Sequence, residues 1–232
     1  MFVKYAHRGA STYCPENTML SFYTGMYMGA NGIETDVQIT KDGVLVLFHD
    51  DTTDRILGVS GSIADYTYDE LLKMDVRNGN LSDKVPTFED FLAHFKNFDI
   101  TFAIELKVKG IEKPVADMIY KYGVENKVVI TSFIFECIEE MRKCAPGLKI
   151  GYLTSKTDDG VTDALLAIGG NEICPYGPKL TKELVDKWHG LGLGVRAWGI
   201  ADENIMKAVY EVGADGMTVN FPDKLTALLQ EQ

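Results

Sequence analysis

The sequence has no long apolar segment and no excess of positive charge. No apolar run approaches the roughly 18 residues of a transmembrane helix, so we expect no stable membrane anchor. Lysine and arginine number 23 against 34 aspartates and glutamates, which gives a net charge of −11. Nucleic acids and anionic membranes attract basic surfaces, so this balance argues against nucleic acid as a partner. A small anionic ligand stays compatible with it, provided that cationic side chains lie at the binding site.

Cysteine is also scarce, and the chain has no recognisable leader. The four cysteines, Cys14, Cys137, Cys144 and Cys174, lack the paired spacing of a zinc site. Residues 1–6 contain no basic region followed by a long apolar stretch, so we expect no signal peptide and a cytoplasmic location. In that reducing compartment we expect the cysteines to be free thiols.

The length and composition of the chain fit one globular domain. With 232 residues, of which 46% are hydrophobic and 25% charged, the chain can bury a large core without disulfide or metal cross-links. We predict a single domain over residues 1–232. Residues 51–85 differ from the rest, because they contain several glycines, many aspartates and serines, and one capping box at 67–70. We interpret residues 51–85 as a small insertion within the domain.

Strand and helix patterns alternate along the rest of the chain. An Asp-Gly pair at 42–43 predicts a hairpin whose second strand, 44–48, runs antiparallel to 33–39. With the return strand 44–48 left out, eight strands alternate with helical patterns, and they cover residues 2–6, 33–39, 101–106, 127–131, 149–153, 172–174, 194–198 and 216–220. Eight such units predict an α/β fold, a TIM (β/α)8 barrel with the insertion after its first hairpin. Alternation without closure would instead give a doubly wound sheet.

Unusual polar residues lie at the ends of the first two barrel strands. His7 and Arg8 follow the first strand directly, at the edge where barrels of this type hold their active sites. Glu34 and Asp36 have i, i+2 spacing, which places both carboxylates on one face of the second strand. If that face is the barrel interior, the two like charges need a neutralising cation, and oxygen ligands favour Mg²⁺ or Ca²⁺.

The predicted hairpin returns a second histidine to the same place. With the turn centred on residues 41–42, His49 lies opposite Glu34; with the turn centred on 42–43, it lies opposite Asp36. Strand alternation also places Leu47 and His49 on one face. The aspartates that follow, Asp50, Asp51 and Asp54, we interpret as loop charges or helix caps.

Two later strands add further candidates. Glu105 and Lys107 share a face of the third barrel strand, either as a structural ion pair or as a third carboxylate ligand with a cation beside it. Trp198 ends a later strand, where it either lines a pocket for an apolar or polyol group or packs in the core. His94 and His189 fall in helical patterns, and we expect no catalytic role for them. Together, two histidines, three carboxylates, an arginine and a lysine favour hydrolysis of a phosphodiester.

These motifs resemble the glycerophosphodiester phosphodiesterase family, within the phospholipase C-like phosphodiesterases. The matching stretches run along nearly the whole chain: Ala-His-Arg-Gly at 6–9, Pro-Glu-Asn-Thr at 15–18, Gly-Ile-Glu-Thr-Asp-Val at 32–37, Val-Leu-Phe-His-Asp at 46–50, Pro-Thr at 86–87, Ile-Glu-Leu-Lys at 104–107, Thr-Ser-Phe at 131–133 and Asp-Gly-Met-Thr-Val-Asn-Phe-Pro at 215–222. Thr35 stands where a leucine is common, and residues 196–200 vary the usual surroundings of the tryptophan.

The resemblance implies a TIM barrel that hydrolyses glycerophosphodiesters to glycerol 3-phosphate and an alcohol. It implies the following roles: one divalent cation held by Glu34, Asp36 and Glu105; acid/base catalysis by His7 and His49; phosphate contacts from Arg8 and Lys107; and a position near the metal for Glu16. It leaves open the choice between Mg²⁺ and Ca²⁺, the leaving alcohol, and which histidine is the acid. A homodimer is compatible with it.

Other functions fit the same residues. One alternative is a lysophospholipase D-type or other phosphodiesterase of the same architecture. Another is a catalytically silent barrel that binds glycerophosphates, although binding alone does not need two titratable imidazoles. A third is metal-assisted enolising chemistry, which has less use for a phosphate-type arginine and lysine.

Overall fold

Eight parallel strands close into a barrel in the computed structural model, which describes residues 2–230. The strands in chain order are β1 (Val3–His7), β2 (Gly32–Ile39), β3 (Leu45–Leu47), β4 (Val76–Asn78), β5 (Leu81–Asp83), β6 (Thr101–Leu106), β7 (Val128–Ser132), β8 (Lys149–Thr154), β9 (Glu172–Pro175), β10 (Gly194–Ile200) and β11 (Gly216–Val219). β1 pairs in parallel with both β2 and β11, which closes the ring, while β3 is antiparallel to β2. The predicted TIM barrel is confirmed.

Helices surround the barrel and follow its strands. They are α1 (Met19–Tyr27), α2 (Asp54–Leu57), α3 (Tyr68–Leu71), α4 (Phe88–Phe95), α5 (Glu112–Tyr122), α6 (Phe135–Cys144), α7 (Asp159–Ala167), α8 (Lys182–Gly190), α9 (Glu203–Glu211) and α10 (Pro222–Gln230). α1 begins after Thr18, because the Thr18 hydroxyl accepts a hydrogen bond from the Ser21 amide and caps the helix there. Within residues 2–230, no helix combines the length and apolarity needed to cross a membrane.

The two faces of the barrel strands differ in chemistry. On β2, Ile33 and Val37 pack in the main hydrophobic core. The alternating residues Glu34 and Asp36 are also buried, but they belong to the polar interior. This alternation follows from the period of two along a strand. It places the charged side chains of Glu34 and Asp36 in the barrel interior near β2.

The β2–β3 hairpin has a register that lies between the two predicted ones. Leu47 pairs with Val37, so neither predicted register forms. The turn contains three residues, because Gly43 adopts a left-handed φ of 85° and donates its amide to the Thr40 carbonyl. The prediction that Leu47 and His49 share a face is also wrong: Leu47 packs in the main core, whereas His49 lies beyond the end of β3 and lines a cavity.

Residues 51–85 contain short elements only. α2, a 3₁₀ turn over Ile63–Asp65, α3 and the β4–β5 hairpin follow one another, and Thr67 and Glu70 form the predicted capping box. A separate small core holds them against β3, and it consists of Val46, Phe48, Ile63, Leu71, Val76 and Val85. The segment therefore covers one side of the barrel mouth next to the hairpin.

Candidate active site

The end of β1 turns sharply and brings a cation over the barrel. Arg8 and Gly9 both have positive φ, 55° and 82°. A Cβ at Gly9 would lie 2.4 Å from the backbone of Ser21, so only glycine fits this approach. The Arg8 amide donates to the Glu34 carbonyl at 2.9 Å. Its guanidinium lies 2.8 Å from Glu16 Oε1 and 3.4 Å from Asp36 Oδ2, so Arg8 connects β1 to the carboxylates of β2.

Three buried carboxylates meet where β2 and β6 pair. Asp36 lies opposite Glu105 in the parallel register, and each of Glu34, Asp36 and Glu105 offers an oxygen within 4.8 Å of the others. Burial, followed by the charges of Asp36 and Glu105, raises the pKa of Glu34. Burial and Asp36 raise the pKa of Glu105 to about 7. Burial also opposes ionisation of Asp36, but Arg8 and Lys107 outweigh it and lower the pKa of that carboxyl.

The carboxylate cluster fits a divalent cation. Asp36 is completely buried, and its Oδ1 has no hydrogen-bond partner among residues 2–230. Its Oδ2 accepts from Asn17 Nδ2 at 2.9 Å, and Asn17 Oδ1 accepts in turn from the Thr35 hydroxyl. A buried anion with one free oxygen beside two further carboxylates matches the hard oxygen ligands that Mg²⁺ and Ca²⁺ use.

The two histidines lie beside this cluster. His7 Nε2 is 3.8 Å from Glu34 Oε2, and His7 Nδ1 contacts Asn220 Oδ1 at 2.5 Å. Burial and the neighbouring charge of Arg8 lower the pKa of His7. His49 Nδ1 lies 2.7 Å from Asp50 Oδ1, and both imidazoles line the same cavity. The barrel therefore brings together two histidines that are separated in the sequence.

Lys107 lies behind the carboxylates. Its Nζ is 2.8 Å from Glu105 Oε1 and 3.8 Å from Asp36 Oδ1. Burial opposes its charge, but Glu105 and Asp36 outweigh this effect and raise the pKa of Lys107. The ammonium therefore compensates part of the negative charge of the carboxylate cluster.

A cavity of about 420 Å³ opens above the site and has two chemically different sides. The β1, β2 and β6 side carries His7, Arg8, Glu34, His49 and Glu105, while the β7 to β10 side carries mainly apolar and aromatic residues, Phe133, Leu153, Tyr176, Trp198 and Ile200, together with the buried Arg196. The ring of Trp198 contacts Phe133 at 5.0 Å and Tyr176 at 4.9 Å between centroids, and its indole nitrogen donates to the Thr154 carbonyl. Trp198 thus both packs against its neighbours and lines the cavity.

Several residues of the site are not among the predicted site residues, although Asn17, Asp50 and Asn220 lie within the family-like stretches of the sequence. Asn17 holds Asp36, Asn220 holds His7, and Asp50 holds His49, although Asp50 reads as an ordinary loop charge. Arg55 contacts Glu16 and Asp50 from the 51–85 segment. The left-handed φ of 54° at Asn17 fits the tolerance of asparagine for this conformation. His94 and His189 do not line the cavity, in keeping with their helical positions.

Barrel enzymes of the TIM type hold their active sites at the carboxyl ends of their strands, and this protein has ionisable side chains there. The fold and the site therefore place it among the α/β-barrel enzymes. The family model described as the glycerophosphoryl diester phosphodiesterase family matches residues 7–224 of the chain. The chain therefore belongs to that family, and the resemblance seen in its motifs is confirmed.

Individual relatives are similar to this chain over nearly their whole length. An uncharacterized protein of Bacillus subtilis, YqiK, is 36% identical over 98% of each chain. A glycerophosphodiester phosphodiesterase of Caldanaerobacter subterraneus is 32% identical over 97% of each chain. The crystal structure of a glycerophosphodiester phosphodiesterase from Agrobacterium tumefaciens has a TM-score of 0.88 at 22% identity, covering 98% of this chain and 100% of that one, which shows the shared fold.

Proposed function

We propose that the protein hydrolyses glycerophosphodiesters to glycerol 3-phosphate and an alcohol, with a divalent cation as cofactor. One observation carries this proposal: three buried carboxylates adjoin two histidines at a single cavity, and one carboxylate oxygen has no hydrogen-bond partner among residues 2–230. Family membership supports the same reaction class. A merely structural cluster has no need for two imidazoles that open to solvent beside it.

The cation would be held by Glu34, Asp36 and Glu105. Glu16 would lie near it, because the Arg8 guanidinium contacts both Glu16 and Asp36. A divalent cation at this position would polarise a phosphoryl oxygen and lower the cost of charge that develops there. Asn17 fixes the orientation of Asp36, so that one carboxylate oxygen stays free to act as a ligand.

Arg8 binds the phosphate in this proposal. Its guanidinium lines the cavity and suits bidentate contact with phosphate oxygens. Lys107 contributes its charge from behind Glu105, so it acts on the phosphate as a buried positive charge. Together with the divalent cation, Arg8 and Lys107 would give an anionic substrate a local attraction within an acidic protein.

His7 and His49 divide the proton transfers. One removes a proton from the nucleophile, which is either water or a hydroxyl of the glycerol moiety, and the other protonates the leaving alcohol. Asn220 orients His7 and Asp50 orients His49, each through Nδ1, and neither Nε2 atom has a hydrogen-bond partner among residues 2–230, although His7 Nε2 lies 3.8 Å from Glu34 Oε2. Trp198 and its aromatic neighbours contact the organic part of the substrate, since aromatic and aliphatic side chains predominate on that side of the cavity, beside Arg196.

The test is the release of glycerol 3-phosphate from glycerophosphocholine and glycerophosphoethanolamine. We expect His49→Ala to lower kcat by about 10²- to 10⁴-fold, because that is the usual contribution of one proton-transfer group. The matched control is His94→Ala, which removes an imidazole outside the cavity and should keep the wild-type rate. Near-normal turnover of His49→Ala would contradict the assignment. Turnover of lysophospholipids alone would move the activity to that class, and binding without turnover would indicate a silent barrel.

A further inference from the structure

Arg55 joins two carboxylates at the mouth of the barrel. Its Nε and Nη2 lie 2.6 and 2.7 Å from the two oxygens of Asp50. Its Nη1 and Nη2 each lie 2.8 Å from an oxygen of Glu16. One guanidinium thus makes paired hydrogen bonds to two different carboxylates, which is the geometry in which arginine binds them most specifically.

Both carboxylates also hold a residue of the proposed chemistry. Asp50 Oδ1 lies 2.7 Å from His49 Nδ1, and Glu16 Oε1 accepts from Arg8 Nη1 at 2.8 Å. A continuous series of contacts therefore runs from His49 through Asp50, Arg55 and Glu16 to Arg8. The histidine and the phosphate-binding arginine share a single cross-link, and that cross-link comes from the 51–85 segment.

Without Arg55, the carboxylates of Glu16 and Asp50 would repel each other. Carboxylate oxygens of Glu16 and Asp50 lie within 4.8 Å of each other and of His49, and like charges at this distance disfavour each other. The guanidinium of Arg55 supplies the compensating charge between them, and it lowers the pKa of both Asp50 and Glu16. The guanidinium of Arg55 is consequently a cation that lies within the group formed by Glu16, His49 and Asp50.

The segment around Arg55 is closed by a buried threonine. Thr53 Oγ1 donates to the Val59 carbonyl at 2.7 Å, and the Thr53 amide donates to the Gly61 carbonyl at 2.9 Å. Thr53 has no exposed surface, whereas the Arg55 side chain is 52% exposed. The backbone that carries Arg55 is thus anchored, while its guanidinium stays accessible from solvent.

We propose that Arg55 is a positioning residue, which sets the orientation of His49 through Asp50 and that of Arg8 through Glu16. This inference rests on the proposed function, because it assigns Arg55 to the same hydrolysis. Arg55 would not touch the substrate. The 51–85 segment would then complete the catalytic arrangement as well as cover the barrel.

The kinetic test compares Arg55→Ala with Arg77→Ala. Arg77 is a second arginine of the same segment; its exposed guanidinium contacts Asp75, and Arg77 does not line the cavity. We expect Arg55→Ala to lower kcat for glycerophosphocholine about 10- to 100-fold, since misplacement of a reacting group by about 1 Å costs as much, with a smaller change in KM. Guanidinium ions, at concentrations far below those that unfold proteins, should restore part of the loss in Arg55→Ala and leave Arg77→Ala unchanged.

A second readout does not depend on activity. The chain has four histidines, and their imidazole NMR signals can be assigned with the His49→Ala variant. We expect Arg55→Ala to shift the ring signals of His49 and to leave those of His94 and His189 in place. If wild-type protein hydrolyses no diester, the proposed function fails, but these signals still test the link from Arg55 to His49.

Two results would overturn the proposal: a kcat of Arg55→Ala within about twofold of wild type, or unchanged His49 signals in that variant. If the NMR spectrum of Arg55→Ala shows that this variant is unfolded, Arg55→Lys replaces it in both tests. Lysine keeps the positive charge but cannot make the paired hydrogen bonds. The same reduction in kcat and the same shift of the His49 signals are expected there, and their absence has the same meaning.

Discussion

Asp36 shows how single residues of this site are arranged. It is completely buried, yet Arg8 and Lys107 keep the pKa of its carboxyl below the ordinary value, so it remains charged. Asn17 donates a hydrogen bond to one of its oxygens, and the other has no hydrogen-bond partner among residues 2–230, although Lys107 Nζ lies 3.8 Å from it. A buried charge with an unsatisfied oxygen is costly by itself. The arrangement therefore makes sense as one part of a ligand set that a cation completes.

Asn17 offers a test at this scale, because it has both a left-handed backbone and a hydrogen bond to Asp36. We expect Asn17→Gly and Asn17→Ala both to weaken the binding of Mg²⁺ or Ca²⁺, since both lose the amide. Asn17→Ala should have a free energy of unfolding about 1–2 kcal/mol lower than Asn17→Gly, because alanine strains the left-handed conformation. Calorimetric titration and urea denaturation measure the two effects. Equal cation affinity in wild type and both variants would contradict the role given to Asn17.

The β2–β3 hairpin determines where His49 emerges. The Asp-Gly pair predicts the hairpin itself, but it is compatible with turns of two or three residues. The left-handed Gly43 and the hydrogen bond of the Thr40 hydroxyl to Asp42 select the three-residue turn. His49 then lies past the last pair of the ladder, where Asp50 and Arg55 orient it. The hairpin thus brings the chain to the site, and side-chain contacts fix the imidazole.

Gly43 tests this description of the hairpin. A Cβ at Gly43 would meet nothing within 4 Å, so a substitution there costs backbone strain alone. We expect Gly43→Val to lower the free energy of unfolding by about 1–2 kcal/mol, and Gly43→Asn by less, because asparagine tolerates left-handed φ. Both variants should keep the wild-type kcat. A large loss of kcat in Gly43→Asn with unchanged stability would mean that the turn does more than set the register.

The limits of the sequence lie in contacts between distant segments. Strand alternation identifies Glu34 and Asp36 on one face, and Glu105 on another strand, from local spacing alone. Nothing local links Arg55 to Glu16, or Asn220 to His7, because these contacts form only when the barrel closes. The prediction of the hairpin register was wrong for a different reason, because a single left-handed glycine changes the pairing without changing the hydrophobic pattern.

Closure of the whole barrel creates the two sides of the cavity. β6 follows β2 in the ring although the 51–85 segment and α4 separate them in sequence, so Glu105 joins Glu34 and Asp36. β7 to β10 complete the ring with aromatic and aliphatic side chains at their ends. Three carboxylates face the two cations Arg8 and Lys107 in the polar half. In our proposal a divalent cation adds positive charge to this cluster and makes the site attractive to a phosphodiester.

The most direct test of this account is the initial rate of glycerol 3-phosphate release as a function of free Mg²⁺ or Ca²⁺. Wild-type protein treated with EDTA is compared with Glu105→Gln, and with Glu140→Gln as a control on an exposed helix position. We predict no turnover in EDTA, saturable recovery with added cation, and a Glu105→Gln curve displaced to much higher cation concentrations. A full rate in EDTA, or identical curves for wild type and Glu105→Gln, would contradict the proposed metal-dependent hydrolysis.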